Sequence, residues 1–311
     1  MSADHPADIV RAVRARPLER DEFNARSHDA REATPAYTLA TLVTRHDLYA
    51  NAIRSLRAGG FAHDCEYLSI DNAQRDDACA YRQLNALLNE ARAPYVILCH
   101  QDIELIGDGR QVLDEKLAHL TAIDPAWAVA GNAGGVGPGR LALRISDPHG
   151  EDQNVGPLPQ LVSALDENFL VVRRASRVGL SHDLTGFHLY GADLCLNADV
   201  KGHSCYVIDF HLRHLSAGNK DASFEAVERR FREKWSRALR PRWLQTTCAL
   251  LYLSGVAGDR MLGAIAERSL EKLARRLPGA RGWRAKAPVG DGRDGVDAAP
   301  AAVERTPAPT P

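Results

Sequence analysis

Residues 95–102 read Tyr95-Val-Ile-Leu-Cys-His-Gln-Asp102, an apolar run that ends abruptly on three polar groups. A short continuous apolar run of this kind predicts a buried strand. The same pattern recurs on either side. Tyr37–Val43 and Glu66–Ile70 predict two earlier strands, with helical patterns at Asp47–Leu56 and Asp76–Ala91 between the three. Downstream, Gln111–Thr121 carries apolar residues at helical spacing, and Trp127–Ala130 predicts a fourth strand. Short strands alternating with helices indicate βαβ units, hence an α/β fold with a mostly parallel sheet and flanking helices.

After Gly131 the pattern changes. Gly131-Asn-Ala-Gly-Gly-Val-Gly-Pro-Gly139 is too glycine-dense to read as an element, and Asp147–Pro159 is polar and proline-containing. Both are expected as functional loops, with Asp147–Asn154 either a lid over the donor or an ordinary surface loop. Asn168–Val172 and Ser204–Ile208 predict further strands around a helix at Tyr190–Val200, and Asp221–Leu239 and Asp259–Arg276 predict a C-terminal helical extension. The expected plan is a mobile arm over 1–35, an α/β domain over 36–220, a helical extension over 221–284 and a disordered tail over 285–311. The ends are assigned so because they hold almost nothing to bury.

Composition excludes several classes. The 311 residues include 39 Lys and Arg against 40 Asp and Glu, a formal net charge of −1, so no global field recruits nucleic acid. The 6 cysteines show no CxxC pair and no metal-ligand spacing, which is expected of a reduced, cytoplasmic protein. The opening MSADHPADIVRAVRARPLER lacks the apolar core of a signal peptide. The apolar stretch beginning at Cys248 falls short of the roughly 20 residues a spanning helix needs. No GxxxxGK[ST] or GxSxG is present, and no GxGxxG falls between a strand and a helix, which removes P-loop, dinucleotide-binding and α/β-hydrolase readings.

In an open α/β sheet, ligands bind at the carboxyl ends of the strands. The polar residues there are Thr44-Arg45-His46-Asp47, Asp71-Asn72 and His100-Gln101-Asp102. Three consecutive strands ending in acids or amides make a cluster suited to a base, a ribose and a divalent cation. Asp47 reads equally as a helix N-terminal residue, whereas Asp102 directly follows an apolar run with no helix beginning there. Asp166-Glu167 is expected as a solvated turn before a contact to the sugar or acceptor, and Trp127, Trp235 and Trp243 as packing residues before a sugar platform at Trp235 or Trp243. Arg229, Arg230, Arg232, Lys234, Arg237, Arg240 and Arg242, with Arg275 and Arg276 beyond, read as a solvated helical face or as a contact with anionic lipid.

Taken together, the order of strands ending in Asp71-Asn72, then YVILCHQDIEL, FLVVRR, LYGADLCL and a late histidine resembles bacterial family-2 glycosyltransferases of the GT-A fold, over roughly Tyr37 to Asn219. The resemblance implies a nucleotide-diphospho-sugar transferase fold and a metal-dependent transfer to a hydroxyl acceptor with inversion, in surface polysaccharide or glycan synthesis. It places Thr44, Asp71, Asn72, Gln101, Asp102 and Arg173 at the nucleotide-sugar, and Asp102 with His214 or His211 at an Mn²⁺ or Mg²⁺ ion. It makes Asp193 the catalytic base. The expected partners are a nucleotide-sugar donor and a glycan or lipid-linked acceptor, without nucleic acid, and with peripheral contact at the inner face of the membrane through the C-terminal basic helices. Departures are His100 for the first acid of DxD, giving an HQD variant, Ala192 for the first acid of the "ED" segment, and Cys195 for an acid shortly after. The alternative is a glycosyltransferase-like domain that binds a nucleotide or glycan without turnover. A nucleotidyltransferase shares the sheet and metal logic, but the Gly- and Lys-rich phosphate loop expected of it is absent.

Overall fold

A computed structural model describes residues 34–75, 78–218, 222–245 and 250–274. The expected arm (but for residues 34 and 35), the tail, Cys248, Arg275 and Arg276 lie outside the described residues. Two compact units result, the first ending at Lys234 and the second beginning at Trp235, within a single helix.

The first unit opens with β1 (Tyr37–Val43), α1 (His46–Leu56), β2 (Cys65–Asp71), α2 (Ala80–Glu90) and β3 (Tyr95–Cys99). β4 (Ile103–Leu105), α3 (Arg110–Ile123) and β5 (Trp127–Gly131) follow. The seven-stranded sheet runs β2-β1-β3-β11-β5-β12-β9, where β9 is Gln160–Leu161, β11 Phe169–Arg173 and β12 Ser204–Val207. β1 lies parallel to β2 and β3, and β5 parallel to β12. β11 is antiparallel to both neighbours and β9 to β12, while β2, β1, β3, β5 and β12 share one direction, so the sheet is mostly parallel with two reversed strands. The α/β class is as expected.

Apolar residues alternate between the two faces of these strands, which sets the layers. Val96 and Leu98 pack with α2 residues Leu84 and Leu87 and with Leu194 and Ala198 of α4 (Tyr190–Val200). Ile97 and Cys99 pack with Leu56 of α1 and with Leu113, Leu117 and Leu120 of α3. Each such buried aliphatic side chain contributes about 1.5–3 kcal/mol relative to exposure. The strands at the centre are therefore rigid supports for whatever their ends carry.

The two expected loops are a second sheet. β6 (Ala133–Gly137), β7 (Arg140–Asp147) and β8 (Gly150–Val155) form a meander, joined by β10 (Ala164–Leu165), β13 (Leu212–His214) and β4. Gly134 of β6 follows from proximity, because a Cβ there would stand 2.5 Å from the Ala164 carbonyl oxygen. Sequence patterning treats such a glycine as a breaker; here it permits two backbones to meet. Asp147 closes the β7–β8 turn by accepting the His149 and Gly150 N–H groups at 2.8 and 3.2 Å.

Trp127 is buried as expected and stacks on Tyr95 at 6.0 Å. Trp235 is buried, whereas Trp243 is 44% exposed. The second unit holds the end of α5 (Ala222–Leu239), the hairpin β14 (Arg242–Gln245) and β15 (Leu250–Leu253), and α6 (Ala257–Ala274). Gly263 of α6 sits against Tyr252, where a Cβ would meet the ring at 2.1 Å. Among the described residues no helix is long and apolar enough to cross a membrane.

Candidate functional site

β3 delivers His100, Gln101 and Asp102 at its carboxyl end, and β13 delivers His214 beside them, because His214 pairs with Ile103 of β4. His100 Nδ1 lies 3.2 Å from His214 Nε2, and that nitrogen is 3.4 Å from Asp102 Oδ1. Ser216 Oγ stands 3.2 Å from the same nitrogen. One ligand atom from each of His100, Asp102 and His214 falls within 4.8 Å of the others. Asp102 and His214 are buried, so the group lies recessed at the sheet end.

The hydrogen-bond chain fixes the imidazole tautomers. Tyr190 OH donates to the Glu167 carbonyl at 3.2 Å, so it accepts from His100 Nε2 at 2.8 Å. His100 therefore carries its proton on Nε2 and turns the Nδ1 lone pair toward His214 and Asp102. Burial alone would raise the Asp102 carboxyl, but hydrogen bonding and charge from His214 hold it down at about 2. Burial likewise disfavours a charged His214, yet Asp102 outweighs it and raises the imidazole above its ordinary value. His100 is pushed down by burial and by His214. A proton on His214 Nε2 thus occupies the point where two imidazole nitrogens and a carboxylate converge. That donor set, two histidines and one carboxylate, fits a small divalent transition ion.

Next to the triad is a recess of about 240 Å³, lined by Thr44, Gln101, Leu84, Leu98, Phe187 and Tyr190 among others. Gln101 Oε1 accepts the Thr44 and Arg45 N–H groups, each at 2.8 Å, and its amide donates to Thr44 Oγ1 at 2.8 Å. Gln101 therefore ties the end of β1 to the end of β3 and keeps the recess open. At the end of β2, Asp71 Oδ2 meets His46 Nε2 at 3.1 Å. Asn72 forms a buried reciprocal amide pair with Gln83, at 2.9 and 2.7 Å, and so joins β2 to α2.

Three sequence-based candidates stand elsewhere. Arg173 pairs with Tyr95 at the opposite end of β3, because β11 runs antiparallel; it lies over the Trp127 ring at 5.8 Å and donates to the Trp127 carbonyl. His211 bonds Ser146 Oγ at 3.0 Å and faces Asp152, outside the triad. Asp193 is fully buried and accepts from Ser181 N–H at 2.7 Å, Ser181 Oγ at 2.8 Å and Asn197 Nδ2 at 3.0 Å. Saturated by donors and shut from solvent, it has no line to an acceptor hydroxyl.

Asp166 and Glu167, which the sequence offered second as contacts to the sugar or acceptor, come forward instead. Asp166, read as a solvated turn, is exposed, and its charge is felt at both His100 and His214. Burial, with Asp166 next to it, pushes Glu167 up to about 8. Their signal in the sequence was the paired acid ahead of the strand. The β7–β8 turn also reaches this end, since His149 Nε2 lies 3.2 Å from the Ala217 carbonyl.

No protein-family model matches the chain. Over 236 residues it is 35% identical to "ATP synthase subunits region ORF 6" of Fuscovulum blasticum, spanning 73% of this chain and 94% of that protein. Among solved structures it is similar to GalNAc-T7 with UDP, GalNAc and Mn²⁺, at 8% identity and a TM-score of 0.40, covering 60% of this chain and 44% of that one. It is also similar to the mannosyltransferase PcManGT from Pyrobaculum calidifontis in complex with GDP-Man and Mn²⁺, at 13% identity and a TM-score of 0.40, covering 66% and 65%.

Proposed function

The chain belongs to the family of the Fuscovulum blasticum protein ATP synthase subunits region ORF 6, a name that states no chemistry, and from its site we propose a metal-dependent glycosyltransferase. It moves a sugar from a nucleoside-diphosphate donor to a hydroxyl acceptor with inversion. The observation that carries this reading is the convergence of His100, Asp102 and His214 at the carboxyl end of β3, beside a recess that Thr44 and Gln101 frame. The resemblance in motif order to family-2 enzymes, with HQD in place of DxD, supports it.

His100 Nδ1, Asp102 and His214 Nε2 would hold the divalent ion, Mn²⁺ in preference to Mg²⁺ because two of the three donors are nitrogen. When bound, the ion neutralises charge that develops on the leaving diphosphate. Tyr190 keeps His100 in its binding tautomer through the Nε2 contact. Thr44, Gln101 and Asp71 bind and orient the nucleotide along the adjacent ends of β1, β3 and β2, with Asn72 a support behind them. Asp166 takes the acceptor's proton, since it is an exposed carboxylate on the turn whose Asn168 carbonyl accepts the His100 N–H at 2.9 Å. Asp193 holds the Ser181 segment against α4 and acts on the site only by position.

The reaction serves glycan or surface polysaccharide synthesis. Contact with a membrane surface is supported by Arg242 lying among exposed Leu244, Leu251 and Leu253 in the second unit. The deciding experiment is calorimetric titration with UDP, GDP, dTDP and CMP, each with Mn²⁺ and with EDTA. Binding of one nucleotide only with Mn²⁺, abolished in Asp102→Ala, is expected. Binding of none of them defeats the transferase reading in favour of a domain without turnover.

A further inference from the structure

At the other end of the sheet, a cleft of about 980 Å³ is lined by Arg92, Arg174, Arg177, Lys201 and His182 over an apolar floor that includes Leu180. It opens beside Pro94 and Val172, where β3 begins and β11 ends. The length of β3, about 13 Å, separates it from the His100–Asp102–His214 group. Among the described residues no acidic one lines it, in a chain whose basic and acidic residues balance at 39 and 40. Arg92 is matched by Glu66 at 2.8 Å, but Arg174, Arg177 and Lys201 pair with no carboxylate among the described residues.

The loop that carries these cations is shaped to present them. Arg174 donates to the Arg92 carbonyl at 3.2 Å, Arg177 N–H donates to the Arg174 carbonyl at 3.1 Å and Lys201 donates to the Arg177 carbonyl, so the four cations are tied to one another through backbone. Arg177 itself sits in the left-handed region, φ 51° and ψ 35°, where glycine would be the cheaper residue. A strained backbone bearing an arginine at the rim of a cationic cleft is better accounted for by the side chain's task than by local preference. Guanidinium forks and an ammonium group suit the oxygens of phosphoryl groups.

We infer that this cleft is a second ligand site, distinct from the one at the carboxyl end of β3, and that it takes a soluble ligand bearing two or more linked phosphoryl groups. The inference stands independently of the transferase reading. It is tested by calorimetric titration with sodium tripolyphosphate in EDTA, which leaves the triad without a cation. Wild-type protein binds, and binding weakens with added salt. Arg174→Gln and Arg177→Gly each weaken it at least tenfold, while both variants bind Mn²⁺ as wild type does. Arg177→Gly also melts at a higher temperature than wild type, because glycine relieves the left-handed backbone, so loss of binding there is not loss of fold. Asp102→Ala retains tripolyphosphate binding. The inference fails if wild type does not bind, if the arginine variants bind undiminished, or if Asp102→Ala abolishes binding. It fails equally if Arg174 and Arg177 govern sedimentation with phosphatidylserine vesicles but not tripolyphosphate binding, which would assign the cations to a membrane surface.

Discussion

His100 and His214, 114 residues apart, bring Nδ1 and Nε2 to 3.2 Å of each other, and Asp102 Oδ1 stands 3.4 Å from the second nitrogen. Three strands meet at this contact. The proton that His214 shares there marks where a cation would bind, and this competition gives the first prediction.

Metal binding should expel that proton. Because His214 titrates above its ordinary value, Mn²⁺ uptake near pH 6 is expected to release close to one proton, falling toward zero at high pH. Calorimetry in buffers of different ionisation enthalpy measures this. His100→Ala, Asp102→Asn and His214→Ala should each weaken Mn²⁺ at least tenfold. Uptake without proton release at pH 6 would remove the triad as the binding site.

In the metal-free protein the Asp102–His214 pair should stabilise the fold over a defined window. Asp102, held at about 2, contributes above the ordinary carboxylate value of 3.8 and loses its contribution as the pH falls through the folded value. His214 is raised, so its contribution is complete below 6.5 and fades as the pH climbs through the higher folded value. The pair should therefore contribute most between about pH 4 and 6.5, on the order of 2 kcal/mol. Urea unfolding of wild type and Asp102→Asn in EDTA tests it; an equal difference at pH 3, 5 and 9 would contradict the linkage.

Asp166→Asn should reduce turnover by about 10²- to 10⁴-fold while nucleotide and Mn²⁺ affinities stay near wild type. The substitution keeps the oxygen that accepts Asn168 N–H at 2.9 Å, so the turn should survive. Undiminished turnover would return the base to another carboxylate.

Asp193→Ala should behave as a folding mutation. It strands the Ser181 N–H in a buried position and removes the acceptor of the Ser181 hydroxyl, while the Asn197 amide keeps the residue 193 carbonyl. The expected cost is about 2–4 kcal/mol in urea unfolding. A fully stable variant without activity would restore Asp193 as a catalytic residue.

Periodicity alone specified β1, β3 and α4 to the residue, and the α/β class with them, because strands and helices that face a core must repeat their apolar residues at fixed intervals. It also singled out Asp102 as the acid following a strand with no helix to cap. Only the fold could supply the rest. The direction of β11 moved Arg173 to the far end of the sheet, and burial turned Asp193 inward. Gly134 of β6, punctuation in one dimension, became a point of contact in three. His214 Nε2 acquired His100 and Asp102 as neighbours through the pairing of β13 with β4. Pairing across long sequence distances depends on register and strand direction, which leave no local periodic trace, and this placed the triad at one end of the sheet and the cationic cleft at the other.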